Sequence, residues 1–213
     1  MSDCIENCPI CGGQGYVFME TGVMICKNSP ATFAGSGVVY EDLLVPDLLP
    51  RTSALSHLQK AFGDLKETGY GMLYIVGEYG VGKTVVAKAI TAQLLQEGVK
   101  ALYTRQSQMM TYLRSAYDEQ SGQKAYAERI KQYCQVDWLV IDELGRDRMT
   151  DFARESLAEI IDARYQGAVS KRNMTVLISN DKPETILQPY LVDRIRDVKN
   201  KVLIIKGESL RGK

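Results

Sequence analysis

The sequence predicts an α/β fold, a parallel sheet flanked by helices, with a small cysteine-rich segment in front of it. Three observations carry this. From about Arg51 onward, short apolar stretches alternate with longer helical ones, the pattern of parallel strands joined by crossover helices. A glycine-rich run, Gly77-Glu78-Tyr79-Gly80-Val81-Gly82-Lys83-Thr84, lies between an apolar strand and a helix. The acids Asp142 and Glu143 and the amide Asn180 close two later strands, and open α/β sheets bind ligands beyond the carboxyl ends of their strands.

The elements follow in order. Residues 1–30 are rich in cysteine and glycine, 31–50 read as a linker with prolines at 46 and 50, and 51–213 form the main domain. Ser53 is placed to cap a helix to about Leu65, and Met72–Val76 is an apolar strand entering the glycine run. Lys83–Gln96 is helical, with Gly98 suited to its end. Ala101–Thr104 is a strand. Ser107 is placed to cap a helix to about Tyr117, and Lys124–Cys134 is another helix. Asp137–Asp142 is a continuous apolar strand ending in acid. Asp151–Gln166 is a helix with Leu157, Ile160, Ile161 and Tyr165 on one face, and Met174–Ser179 and Val202–Ile205 are the last strands. No internal repeat is present.

The length of 213 residues suits one main domain with a small appendage, large enough to bury a core without staples. No apolar run reaches membrane-spanning length and the N-terminus lacks a signal pattern, so a cytoplasmic protein with no membrane partner is expected. The net charge is zero but unevenly spread. Residues 1–50 hold six acids and one base, leaving 25 bases and 20 acids for the rest. That asymmetry fits an acidic, partner-facing segment on a mildly basic domain, and is too weak to indicate nucleic acid by itself.

The glycine run has the spacing of a phosphate-binding loop. Its backbone N–H groups must turn inward around phosphate oxygens, which needs conformations that a Cβ opposes. The next helix points its positive end at the same phosphates. Lys83 supplies charge to the β and γ phosphates, and the Thr84 hydroxyl is a Mg²⁺ ligand. Trp138-Leu139-Val140-Ile141-Asp142-Glu143 then delivers two acids beside the loop. Asp142 holds the Mg²⁺ shell and Glu143 deprotonates an attacking water, so ATP hydrolysis is expected.

Cys4, Cys8, Cys11 and Cys26 crowd the first 26 residues, with a Cys-x-x-Cys turn flanked by Pro9 and Gly12-Gly13. Four thiolates make a closed tetrahedral Zn²⁺ site, and a segment this poor in large apolar groups needs metal to fold. A reduced tail, or three thiolates and a water, are the alternatives. Cys134 stands apart beside an apolar run and reads as core. His57 and the face Met109, Met110, Tyr112 and Leu113 read as surface or packing residues.

The chain resembles the DnaC/DnaI/IstB-like AAA+ ATPases, which include replicative-helicase loaders and helper ATPases of insertion sequences. The resemblance covers about residues 45–213. It rests on VGEYGVGKT, ALYTRQSQMMTYLRSAYD, DWLVIDELG, EIIDARYQG, TVLISN and LVDRIRD. It implies an AAA+ core with a reduced or absent C-terminal lid. It makes Asn180 a sensor of the hydrolytic water, and Arg194 the finger given to a neighbouring subunit's ATP, with Arg196 as competitor. It makes Arg211 a second sensor on the chain's own nucleotide. In loader-like ATPases, single-stranded DNA contacts fall in the regions of Tyr117, Thr150 and Phe152, for which packing and a helix cap are the alternative. Relatives often carry Cys-x-Cys where this chain has Cys26-Lys27-Asn28, and Cys4 stands in for the absent cysteine. The resemblance implies a helicase loader that self-associates through its ATP site, binds single-stranded DNA and engages a replicative helicase, the short N-terminus suiting a phage or mobile element. An IstB-like transposition helper is the alternative, and a small-molecule kinase with a phosphate loop a more distant one.

Overall fold

Stretches such as residues 72–76 and 138–141, apolar at successive positions, must bury both faces of their strands, and the fold covers both. The computed structural model describes residues 4, 6, 8–11, 13–14, 16–19, 22–44, 52–118, 122–167 and 173–210. Its N-terminal part is an antiparallel hairpin of β1 (Tyr16–Met19) and β2 (Gly22–Ile25), then a short helix α1 (Pro30–Phe33) and a 3-10 turn (Tyr40–Leu43). The main domain runs α2 (Ser53–Thr68), β3 (Tyr70–Gly77), α3 (Lys83–Gln96), β4 (Ala101–Arg105), α4 (Gln106–Arg114) and a 3-10 turn (Ser115–Asp118). It continues through α5 (Gly122–Gln135), β5 (Trp138–Leu144), α6 (Asp151–Gly167), β6 (Asn173–Ser179), α7 (Pro183–Ile186), α8 (Pro189–Ile195) and β7 (Lys201–Ile205).

Five strands form one parallel sheet in the order β4-β5-β6-β3-β7. Side chains alternate between its faces. Leu73, Ile75, Trp138, Val140, Val176 and Ile178 join Leu58 and Phe62 of α2 and Ala87 and Leu94 of α3 on one side. Met72, Tyr74, Leu139, Ile141 and Leu177 join Met109 and Leu113 of α4 and Leu157 and Ile161 of α6 on the other. The expected α/β architecture is therefore present. Among the described residues no helix is long and apolar enough to cross a membrane.

The structure corrects several details. Thr52, not Ser53, caps α2: its Oγ1 accepts from Leu55 N at 3.2 Å, and Gly69 ends the helix in the left-handed conformation. Ser107 is no cap, because α4 already begins at Gln106, and the helix gives way to the 3-10 turn before Tyr117. The hairpin and the helices α7 and α8 were not expected. Both helices begin on a proline, whose fixed φ suits a first helical position.

The described part of the 31–50 segment is packed rather than extended. Phe33 and Val38 enter the core, Ser36 O accepts from Tyr103 N at 2.7 Å at the sheet edge, and Asp42 pairs with Lys88 at 3.4 Å. A Cβ on Gly37 would meet Tyr103 O at 1.9 Å, so this close approach requires glycine. Residues 45–51, including both prolines of the segment, lie outside the described residues.

One buried charge knits the far end of the sheet. Arg164 of α6 is fully buried. It donates from Nε to Thr175 Oγ1 at 2.7 Å, and at 2.8 Å from Nη1 to Tyr133 O and Val136 O and from Nη2 to Met174 O. Burial lowers its pKa to about 9, which still leaves it protonated at neutral pH.

Candidate functional site

The phosphate loop is built where β3 stops. Gly80 and Gly82 have φ of 82° and 96°, and Gly82 caps α3, so the helix N-terminus opens directly onto the loop. The chain after β7 lies across it: Leu210 N donates to Gly80 O at 2.9 Å, and a Cβ on Gly80 would fall 2.1 Å from Ser209 Oγ. Lys83 is 8% exposed. Its ammonium donates to Gly77 O, to Glu78 O at 2.8 Å and to Asn180 Oδ1 at 3.0 Å, which brings the lysine of α3 and the amide at the end of β6 together.

The acids sit on the opposite wall. Asp142, at the end of β5, is 2% exposed. Its Oδ2 accepts from Thr84 Oγ1 and Tyr103 OH, both at 2.7 Å, and its Oδ1 accepts from Glu143 N at 2.7 Å. Burial, reinforced by the Asp142 charge, pushes the Tyr103 phenol far up, so it remains a donor. Glu143 has φ of 55°, unique for a non-glycine among the described residues, and the β5–β6 register shifts between Ile141 and Leu144. That irregularity turns Glu143 away from the sheet and toward the cleft. Its carboxylate pairs with Arg146 and lies 3.8 Å from Arg105 Nε. The cleft measures about 240 Å³ and is lined by residues 79–85, Asp142, Glu143, Arg146, Asn180 and Leu210 among others. A lysine and helix N-terminus facing a hydroxyl–carboxylate pair is an arrangement for a polyphosphate and a divalent cation.

The profile of the IstB-like ATP binding protein family matches residues 70–213, more than half of the chain and all of this cleft. The chain belongs to that family. Similar proteins include YdaV of Escherichia coli (strain K12), 31% identical over 137 residues that cover 64% of this chain and 53% of that protein. The replicative helicase loader DnaI of Bacillus subtilis (strain 168) is 25% identical over 137 residues, covering 64% of this chain and 42% of DnaI. The chain thus spans about half the length, or less, of these relatives. Among solved structures, the DnaC helicase loader superposes with a TM-score of 0.56 at 22% identity, over 74% of this chain and 93% of that one. DnaI superposes with a TM-score of 0.54 at 20% identity, over 74% and 82%. These two share the fold, an AAA+ core with a phosphate loop.

Outside the family-matched region, the first four cysteines converge. The sulfurs of Cys4, Cys8, Cys11 and Cys26 all lie within 4.8 Å of one another, and Cys8 Sγ is 3.8 Å from Cys26 Sγ. Bonds of about 2.3 Å in a tetrahedral Zn–S₄ site imply sulfurs about 3.8 Å apart. The geometry therefore fits an ion and no disulfide, and it includes Cys4. Burial alone would raise the Cys8 thiol, but backbone N–H groups of Ile10 and Cys11, and then the Cys4 and Cys11 side chains, bring it down to about 6. Cys134 lies on α5, half-buried against the second core cluster, where burial raises its thiol.

A second convergence is aromatic. Tyr117 is 55% exposed and stacks on Tyr126 at 5.6 Å, while Phe152 meets Tyr117 edge-on at 6.2 Å. Arg114 lies 5.3 Å from the Phe152 ring and donates to Thr150 Oγ1 at 3.2 Å. Thr150 also accepts from Ala153 N at 3.3 Å at the start of α6. So Tyr117, Thr150 and Phe152 share one surface, and the helix-cap role of Thr150 is present as well.

The arginines expected to act on phosphate lie elsewhere. Arg194, in the last turn of α8, pairs with Asp162 and sits 5.3 Å from the rings of Tyr165 and Tyr190. Arg196, 62% exposed, pairs with Glu184. Neither lines the described cleft of its own chain. Arg211 lies outside the described residues. Sequence reasoning missed Tyr103, Arg105 and Leu210, and with them Arg146 as the partner of Glu143. Only the β4–β5 register, which sets Arg105 opposite Asp142, reveals the first two.

Proposed function

We propose that this chain is an AAA+ ATPase that acts as a DnaC-like helicase loader in DNA replication, with a zinc knuckle over residues 1–30 ahead of an ATPase domain over 51–213. The observation that carries the ATPase reading is the Thr84–Asp142 hydrogen bond at 2.7 Å, with Glu143 displaced toward the same cleft. Lys83 leaves its carbonyl acceptors for the β and γ phosphates. Thr84 and Asp142 hold Mg²⁺, which neutralises phosphate charge. Glu143 takes the proton of the attacking water while Asn180 holds that water, so Arg146 and Arg105 must first release the carboxylate. Arg194 of a neighbouring subunit stabilises charge on the transferred phosphoryl, and Arg211 contacts its own chain's nucleotide. The surface of Tyr117, Thr150 and Phe152 takes single-stranded DNA by stacking and phosphate contact. Cys4, Cys8, Cys11 and Cys26 hold Zn²⁺. The protein works in the cytoplasm.

Similarity to DnaI supports the loader reading. The family profile, built on IstB-like proteins, favours a transposition helper as the second reading. Two measurements test the proposal. Lys83→Ala should lose ATP binding, whereas Glu143→Gln should bind ATP and stop turnover; parental hydrolysis by Glu143→Gln would refute the assigned chemistry. Affinity purification from the native cell should recover a replicative helicase, and recovery of a transposase instead would select the second reading.

A further inference from the structure

The cysteine cluster does not stand apart from the ATPase domain. Its last ligand, Cys26, begins a turn in which Ser29 N donates to Cys26 O at 2.8 Å and Thr32 Oγ1 donates to the same oxygen at 2.9 Å. That turn leads into α1, whose Phe33 is buried in the main core. Between them Asn28, 5% exposed, makes a bridge. Its Nδ2 donates to Cys8 Sγ at 3.5 Å, and its Oδ1 accepts from Gln96 Nε2 at 2.6 Å. Gln96 is the last residue of α3, the helix whose first residue is Lys83.

The polarity of this bridge follows from chemistry. A metal-bound thiolate only accepts hydrogen bonds, so Asn28 must present its NH₂ to Cys8. The amide oxygen then faces Gln96, which must answer with a donor. Partners of this kind orient metal ligands and typically change metal affinity about 10–100-fold when removed.

We propose that Gln96 is a positioning residue of the zinc site, fixing the Cys8 thiolate through Asn28 and tying the knuckle to the C-terminal end of the phosphate-loop helix. This rests on the zinc reading given above, and the experiment separates the two. Zinc content and Zn²⁺ affinity, by chelator competition, are measured on the full chain and on Asn28→Ala, Gln96→Ala, Gln96→Glu and the double alanine variant, with Gln93→Ala as a neighbouring control. Gln96→Ala should weaken zinc binding about tenfold or more, and the double variant should be no weaker than Asn28→Ala alone. Gln96→Glu, which cannot donate, should be as weak as the alanine, and Gln93→Ala should match the parent. Co²⁺-loaded parent and variants should differ in their thiolate-to-metal absorption, a readout a loss of general stability would not reproduce in soluble, nucleotide-binding protein. Parental affinity in both Gln96 variants, with zinc present in the parent, would overturn the role of Gln96 and leave the zinc reading standing. A parent that binds no zinc would overturn both.

Discussion

Arg164 offers the most quantitative test of how the domain is held together. Its guanidinium spends four N–H groups on Thr175 Oγ1, Tyr133 O, Val136 O and Met174 O, and so joins the end of α5, α6 and the start of β6. Arg164→Leu keeps apolar volume but takes the donor from three carbonyls and a hydroxyl, of which all but Val136 O are buried. Hydrogen bonds from a charged donor are worth about 1.5–3 kcal/mol each, and the desolvation relieved by removing the charge offsets part of their sum. A net loss of about 3–5 kcal/mol is expected, the range seen when a buried charged network is broken. For a domain of 150–250 residues each kcal/mol shifts Tm by about 2–4 °C, so Tm should fall by about 6–20 °C. Thermal unfolding followed by circular dichroism at neutral pH reads this directly. Arg164→Lys should recover little, because a single ammonium cannot span acceptors on two sides of the planar fork. The lowered pKa works in the opposite direction and only at high pH. The charged form costs stability fully below about 9, and that cost fades as pH rises toward the unfolded-state value, so the variant's deficit should not grow on acidification from neutral pH. A Tm within 2 °C of the parent for Arg164→Leu would refute the reasoning, the margin being about 1 kcal/mol.

Other outcomes follow from the sites. Tyr103→Phe removes one of the two hydroxyl donors on Asp142 Oδ2, so Mg²⁺-dependent hydrolysis should drop about tenfold or more, and an unchanged Mg²⁺ titration would exclude a role for the phenol. Cys4→Ser should lower zinc affinity in a chelator competition if Cys4 is the fourth ligand; equal affinity would return the site to three thiolates and a water. Arg194→Ala should bind ATP and hydrolyse it slowly, roughly a thousandfold or more below the parent if it acts as a finger. Mixed with Lys83→Ala in co-assembled complexes it should regain partial activity, and no recovery would confine Arg194 to its own chain.

The sheet, the phosphate loop and the acid pair were legible because each is written in contiguous residues. An apolar run, Gly77 and Gly80 spaced before Gly82-Lys83-Thr84, and Asp142-Glu143 at a strand end all obey short-range rules of backbone geometry. What was not legible depends on contacts across the chain. Tyr103 reaches Asp142 only because β4 lies beside β5, and Asn28 meets Gln96 only because α1 docks on α3. Residues 31–50 read as a linker, with prolines at 46 and 50. Yet Gly37 is what lets the described part of that segment close on the sheet edge. The arginines show the same limit: a motif names Arg194, but Asp162, 32 positions away, decides where its side chain rests.

The strand order has a consequence for synthesis. β3, which delivers the phosphate loop, pairs with β6 and β7, so Val76 meets Ser179 and Gly77 meets Ile205. A ribosome adding about 5–20 residues per second needs on the order of ten seconds to pass from that loop to its partners. Through this interval Met72–Val76 has no sheet to join, and Lys83 has no Asn180 to meet. A nucleotide at that loop would therefore meet the full set of contacts described above, Asn180 included, only after β6 has been made.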